Sequence, residues 1–545
     1  RVHLPRKTLH YNTLGRIQAV YGQGGSGSFT YTYATNGYEP IKVTNGAGRT
    51  IEFTWTNGRV TQVKDPAGGI WTYTYDANYM LASVTSPGAN SDIRTYHYEN
   101  SADRQLLTGI SINGVRYSTY KYRTDKRVQE SGLAGGEEKD TFTYATNQTT
   151  VTSVAGQPVT YTFTSAQGAL AIASVSRAAT SSCAAANAKT YYDAYGWVDY
   201  TLDWNGNKTD YSYDAAGKLM QVTTAAGTAS AATRVNTWTG SNLTTVTYRD
   251  ANASAYAKVV YTYATGSAAG RLASETWSDL RVGGTRTTSY AYAFHSNGVL
   301  ASKTVARVLP GADAVTTYAY DSFGNLVSVT NALGHTVTLS GYNGLGLPSR
   351  MTDANGTITD YAYDAKGTLN SVTLYAAGGT RVTSFAYNHD RQLTDVAYPD
   401  GRVERLRYNA AGRLISAGNA SSEFVSYGYS VATNTQTTSS ARKTPSLSGS
   451  TPVGVAAGSF SATRKLDSLR RPMQDLGNAG QSITTTYDTN GNVKTRTDAA
   501  NRITRYDYDL QDRLVKLTAP DNGVTSYAYD TEGRLASVTD PRALV

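Results

Sequence analysis

The chain has 545 residues, 17% of them charged, with 43 Tyr, 51 Gly and a single Cys. That balance favours pleated, turn-rich structure over long helices. The net charge of +9 is too thinly spread, with no Lys/Arg block of five, to mark a nucleic-acid binder. Cys183 has no second cysteine to bridge, and no run of 18 apolar residues exists to span a membrane.

The first residues, Arg1–His10, are basic but lack a following apolar stretch, so no cleavable signal is expected within this chain. The opening has no Met and falls in mid-pattern, as a fragment or processed product would. Aromatic-led segments then begin at Tyr31, Phe53, Tyr73, Tyr96, Tyr120 and Phe142, at steps of 22, 20, 23, 24 and 22 residues. Tyr-x-Tyr-Asp itself occurs at Tyr73, Tyr75 and Asp76; at Tyr211, Tyr213 and Asp214; and at Tyr318, Tyr320 and Asp321. It recurs at Tyr361, Tyr363 and Asp364; at Tyr506, Tyr508 and Asp509; and at Tyr527, Tyr529 and Asp530. Degenerate copies at Ser340, Phe385, Leu406 and Tyr427 continue the series from Tyr318 at steps of 22, 21, 24, 21 and 21. A fixed period over most of a chain is the signature of a repeat architecture.

Thr317–Thr338 shows what one period encodes. In TYAYD the two tyrosines fall on one face of a strand. Asp321-Ser-Phe-Gly324 reads as a tight turn, because Asp can accept from its own backbone two residues on and Gly enters the left-handed region cheaply. Gly217, Gly367 and Gly533 stand at the matching positions. Asn325–Thr330 is a second strand and Asn331-Ala-Leu-Gly334 a second turn. Leu326 and Val329 are three apart and cannot share a face of a regular strand, which predicts a bulge or strong local twist. Asn-Gly pairs at 36, 57, 113, 205, 355, 490 and 522 support the turns.

A lone hairpin is marginal in water, so hairpins must pair edge to edge. The predicted fold is therefore all-β: one continuous array over 1–545, forming a long antiparallel sheet that coils because sheets twist in one sense. Two stretches interrupt the pattern. Residues 223–258 are Ala/Thr/Ser-rich, with weak repeats around Trp238 and Tyr248, and read as irregular or loop-rich. Residues 431–464 are either a surface loop or degenerate strands.

No catalytic, metal or cofactor set emerges. His3, His10, His97, His295, His335 and His389 are scattered without metal-ligand spacing. Gly24-Gly25-Ser26-Gly27-Ser28 lacks the Lys and helix of a phosphate loop. Asp203-Trp-Asn205-Gly206-Asn207 and Asp488-Thr-Asn490-Gly491-Asn492 resemble the start of a Ca²⁺ loop, but each offers one carboxylate and no distal Glu. The recurring Asp residues sit at turns, which argues for structure rather than glycosidase acids.

The string Tyr-x-Tyr-Asp-x-x-Gly-Arg/Asn-Leu-x-x-Val-Thr-Asp/Asn-x-x-Gly resembles the bacterial RHS/YD-repeat family, best at Tyr211–Thr223, Tyr318–Gly334 and Tyr527–Asp540. Asp65-Pro66-Ala67-Gly68-Gly69 fits the inter-repeat turn, while Tyr79 replaces the expected turn Gly after Asp76. The resemblance implies a spiral, hollow β-shell, teneurin-like, around a toxin domain of the same or a partner chain. It also implies a delivery apparatus and a secreted or cell-surface location. Neither the family's C-terminal core-associated motif nor a toxin domain is seen by Val545, so no self-cleavage or toxicity is expected of these residues. The alternative is a cell-surface adhesin whose Tyr rows bind glycan.

Overall fold

The computed structural model describes residues 2–4, 7–22, 28–35, 37–89, 91–308, 313–419, 424–430, 433–448, 451–530 and 533–542. The Gly-rich string at 23–27, Asn36, the start of the 431–464 tract at 431–432, and 543–545 lie outside them. The described chain is β throughout, a 47-stranded sheet with two short 3₁₀ turns at Ala134–Gly136 and Gly266–Ala268.

Strands follow one another as antiparallel neighbours. In the period read above, the strand Ala314–Tyr320 pairs with Leu326–Thr330, which pairs with Thr336–Ser340. Tyr318 stands opposite Val329 and Tyr320 opposite Leu326, with the register shifting between Ala319 and Tyr320. Val327 is the extra residue, so Leu326 and Val329 both reach the tyrosine face through a β-bulge. The same shift falls just before the second tyrosine at Tyr75, Tyr213, Tyr363, Tyr508 and Tyr529. The bulge is thus a fixed part of the repeat.

The stretch 223–258, expected to be loop-rich, is largely strand: Leu219–Thr224, Ala232–Thr239, Asn242–Arg249 and Ala255–Tyr263. Thr and Val there suit a pleated surface, and the Thr223 and Thr233 hydroxyls bond across the ladder at 3.1 Å. Composition misled because neighbouring strands supply the pairing template that Ala and Ser do not signal themselves. In the second stretch the degenerate-strand alternative applies, with Thr435–Ser448 pairing along Thr451–Leu466.

The sequence pattern reads as one array, yet the chain divides into two compact units. Unit 1 comprises Arg1–Tyr117, Val259–Ser278 and Gly284–Arg405; unit 2 comprises Ser118–Lys258, Asp279–Gly283 and Leu406–Val545. Each unit therefore joins hairpins far apart in sequence. Apolar burial is sparse. Among the described residues nine apolar side chains are buried, most of them Ala or Val, and Val259 is the largest apolar side chain fully enclosed. The tyrosine face is half-buried along its strands, as in the alternating pattern of Val524–Tyr529.

Candidate functional site

The repeated Asp is a turn-builder. Asp321 Oδ1 accepts from the backbone N–H of Phe323 at 2.9 Å and of Asn325 at 2.8 Å, while its own N–H and C=O bond Asn325 and Gly324. Asp76, Asp214, Asp364 and Asp509 each accept from the N–H groups two and four residues on, and Asp530 accepts from Arg534. The inter-repeat turn uses the same device, as at Asp65 and Asn331. The fourth turn residue is left-handed: φ is +80° at Gly217 and Gly324, and +82° at Gly367 and Gly533. Tyr79 takes φ +65° where the pattern expects Gly, and Lys126, Ala253, Arg391, Arg470 and Asp512 do likewise in their own turns.

In several repeats the second aromatic is a staple. Tyr529 Oη donates to the Leu514 carbonyl at 2.9 Å, Tyr508 to Val493 at 3.0 Å, Tyr487 to Pro472 at 2.6 Å and Tyr75 to Val60 at 2.8 Å. Leu514, Val493 and Pro472 are each the first residue of a strand in the preceding repeat, and Val60 is the second. Trp55 and Trp238 play the same part through Nε1, to Pro40 at 2.9 Å and Leu219 at 3.0 Å. Burial raises the phenols of Tyr73, Tyr213, Tyr363 and Tyr508 above the ordinary value, so they remain neutral at physiological pH.

Sequence reasoning missed the residue after the left-handed fourth turn position. Arg513 bonds Asp509 at 2.7 Å through Nε and lies 4.6 Å over the Tyr529 ring of the next repeat. Arg471 does the same between Asp467 and Tyr487, at 4.3 Å from the ring. Arg16, Arg59, Arg127 and Arg413 also cover such rings, and Trp197 replaces the cation over Tyr213 at 5.3 Å. The signal lay in the Gly-Arg/Asn-Leu string, but its meaning needs the next hairpin in place. One Asp–Arg–Tyr chain links turn, side chain and following repeat, adding cation–π attraction to the ladder.

Within unit 1, turns distant in sequence meet. Asp92 accepts from Lys366 Nζ and from His389 Nδ1, both at 2.7 Å. Burial pushes the Asp92 carboxyl up, but these two partners outweigh it and hold it below the usual range. Beside them lies a cleft of about 660 Å³ whose wall includes Phe385 and Tyr387. Arg49 bonds the Asn325 side chain, and Gly344 lies against the Pro66 carbonyl.

Within unit 2, the two loops that look like Ca²⁺-binding segments come together. Asp203 Oδ2 accepts from Asn207 Nδ2 at 3.0 Å and Asn490 Nδ2 at 2.9 Å, and Asn490 also donates to Asp512. The carboxylates are occupied by amides, so the loops lock one another. Nearby, Asp467, whose side chain is fully enclosed, accepts from Ser182 Oγ at 2.6 Å and from Arg471 at 2.7 Å. Burial raises its carboxyl, yet Ser182 and Arg471 hold it below the ordinary value. Cys183 donates to the Asp488 carbonyl at 3.0 Å. Arg413 pairs with Glu137 at 2.6 Å and Glu138 at 3.4 Å.

This geometry, a hairpin repeat with an Asp-capped turn and an aromatic staple, defines a class of repeat-built sheet proteins. Residues 55–91, 192–229, 487–524 and 515–544 match the RHS Repeat family model, and 279–448 match the Teneurin YD-shell model, together more than half of the chain. The chain belongs to the RHS/YD-repeat family. It is similar to the crystal structure of TcdB2-TccC3, with TM-score 0.54 and 13% identity over 98% of this chain. It is also similar to the Tc holotoxin pore structure of Photorhabdus luminescens, with TM-score 0.57 and 12% identity, again over 98%. The chain spans 38% of the length of each of those chains. No curated protein matches it. Among the described residues no helix is long and apolar enough to cross a membrane.

Proposed function

We propose that this chain is a wall segment of a hollow shell that encloses a toxin or effector domain for delivery. The observation that carries the reading is the wall's construction. A sheet of 47 strands presents a row of Tyr, Leu and Val along one face, yet among the described residues almost no apolar side chain is buried by a second layer. A sheet protein with a packed core would bury far more.

A second observation supports curvature. In unit 1 the turn-to-turn contacts join residues 274, 276 and 297 apart. In unit 2 they join residues 272 to 312 apart. A ribbon that meets itself after about the same length of chain is one that coils.

The RHS repeat is structural, and the role proposed is a container without catalysis of its own. Its partners are the enclosed domain, supplied by the same or another chain, and a delivery apparatus. Its location is extracellular or on the cell surface. Cryo-electron microscopy of the natural full-length product tests this. The expected result is non-repeat density inside the sheet, against the Tyr face, from a segment that resists added protease until the sheet is denatured. A wall with that segment outside and promptly digested would overturn it.

A further inference from the structure

The contacts that join distant hairpins within a unit differ in kind from those that join consecutive ones. Consecutive hairpins share a backbone ladder, a Tyr staple and an Arg stack. The distant runs of unit 1 meet chiefly through turns, with Arg391 also lying 5.7 Å over the ring of Trp71 on the strand Ile70–Tyr75. There, Asp92 grips Lys366 and His389, Arg49 bonds Asn325, and Gly344 abuts Pro66. No strand pairing crosses between these runs among the pairings described. The centre of the grip is shielded, with the Lys366 side chain 10% and the Asp92 side chain 14% exposed, while His389 is 63% exposed. Lys366 also lies 4.0 Å from Asp364. Asp390 and Arg391 complete the charged surroundings beside His389, and Arg94 acts on Asp390.

Such an arrangement separates two stabilities. Ladder hydrogen bonds are backbone-borne and indifferent to ionic strength, whereas a charge grip fails when one partner is removed and is weakened by salt where solvent reaches it, as at the exposed His389 edge of this one. We propose that Asp92, Lys366 and His389 form a polar clasp, which opens unit 1 between its distant hairpin runs while the hairpin ladder stays intact. Opening at the clasp widens the adjoining cleft beside Phe385 and Tyr387. This gives the unit a defined place to part without unfolding. The inference stands whether or not the sheet encloses a cargo, because it concerns contacts inside one unit.

Amide hydrogen exchange read by mass spectrometry on the whole chain tests the clasp. The wild type is compared at about 0.05 M and about 1 M sodium chloride, and with Lys366→Met at low salt. The clasp predicts that exchange in the segments holding residues 86–89, 91–92 and 388–392 rises at least several-fold in high salt and in Lys366→Met. Exchange in the strands Ile70–Tyr75 and Ile358–Tyr363 stays at its starting rate. Turns unchanged in both conditions, or turns and strands rising together, would overturn the proposal. The salt arm needs no substitution, so a poorly folding variant does not blunt the test. Loss of cargo protection with an intact clasp would speak against the shell reading alone.

Discussion

At the scale of single residues, the repeat is held by polar atoms with short reach. The Tyr529 hydroxyl donates to Leu514 across one repeat. Tyr529→Phe keeps the ring under Arg513 but removes that donor, and a single part-buried hydrogen bond contributes about 0.5–1.5 kcal/mol. The expected loss is of that size, read from the urea midpoint with the slope unchanged. Asp467 carries more, because its enclosed carboxylate holds Arg471 and Ser182 together. Asp467→Ala leaves a shielded guanidinium without its partner and should cost about 3–5 kcal/mol. The Asp467 and Asp92 carboxyls sit below their ordinary value of 3.8 in the fold. Their contribution is therefore complete above that value and is lost as pH falls through the lower, folded-state value. Thermal melts recorded from pH 6 downward should show an acid limb below about pH 4, and Asp467→Asn should flatten it.

The tyrosines and aspartates were readable from sequence at this scale, because an Asp bonding the backbone two and four residues on is local chemistry. The arginine stack was not, since Arg513 meets its ring only when the next hairpin folds. The Asp467–Ser182 bond joins residues 285 apart, and no short-range pattern announces it.

At the scale of the element, the bulge and the left-handed fourth turn residue set the hairpin. Ala253 holds φ +59° with an ordinary side chain. A non-Gly residue there costs about 1–2 kcal/mol, partly offset by glycine's greater freedom when unfolded. Ala253→Gly should stabilise the protein by roughly 0.5–1 kcal/mol, seen as a higher melting temperature. Deleting Val327 removes the extra residue and would turn either Leu326 or Val329 off the tyrosine face. Exchange protection over Ala314–Thr330 should then collapse, while substitution Val327→Ala, which keeps the chain length, should leave it in place. The bulge was legible as the three-residue spacing of Leu326 and Val329. The strands of 223–258 were not, because weak residues there are carried by the ladder on either side.

At the scale of the molecule, stability is spread along the repeats rather than gathered in a core, as nearest-neighbour repeat proteins require. The architecture followed from period and turn chemistry, but the division into two units, each drawn from separate stretches of sequence, did not. It depends on which distant turns meet, and no short-range pattern carries that. In the proposed role the sheet is a wall with open space on its tyrosine face. The direct measurement is a cryo-electron microscopy map of this chain in solution. The expected result is a curved layer one sheet thick, with solvent-level density along the face that carries Tyr318, Tyr361 and Tyr506. Continuous protein density packed against that face from a second layer of the same chain would contradict it.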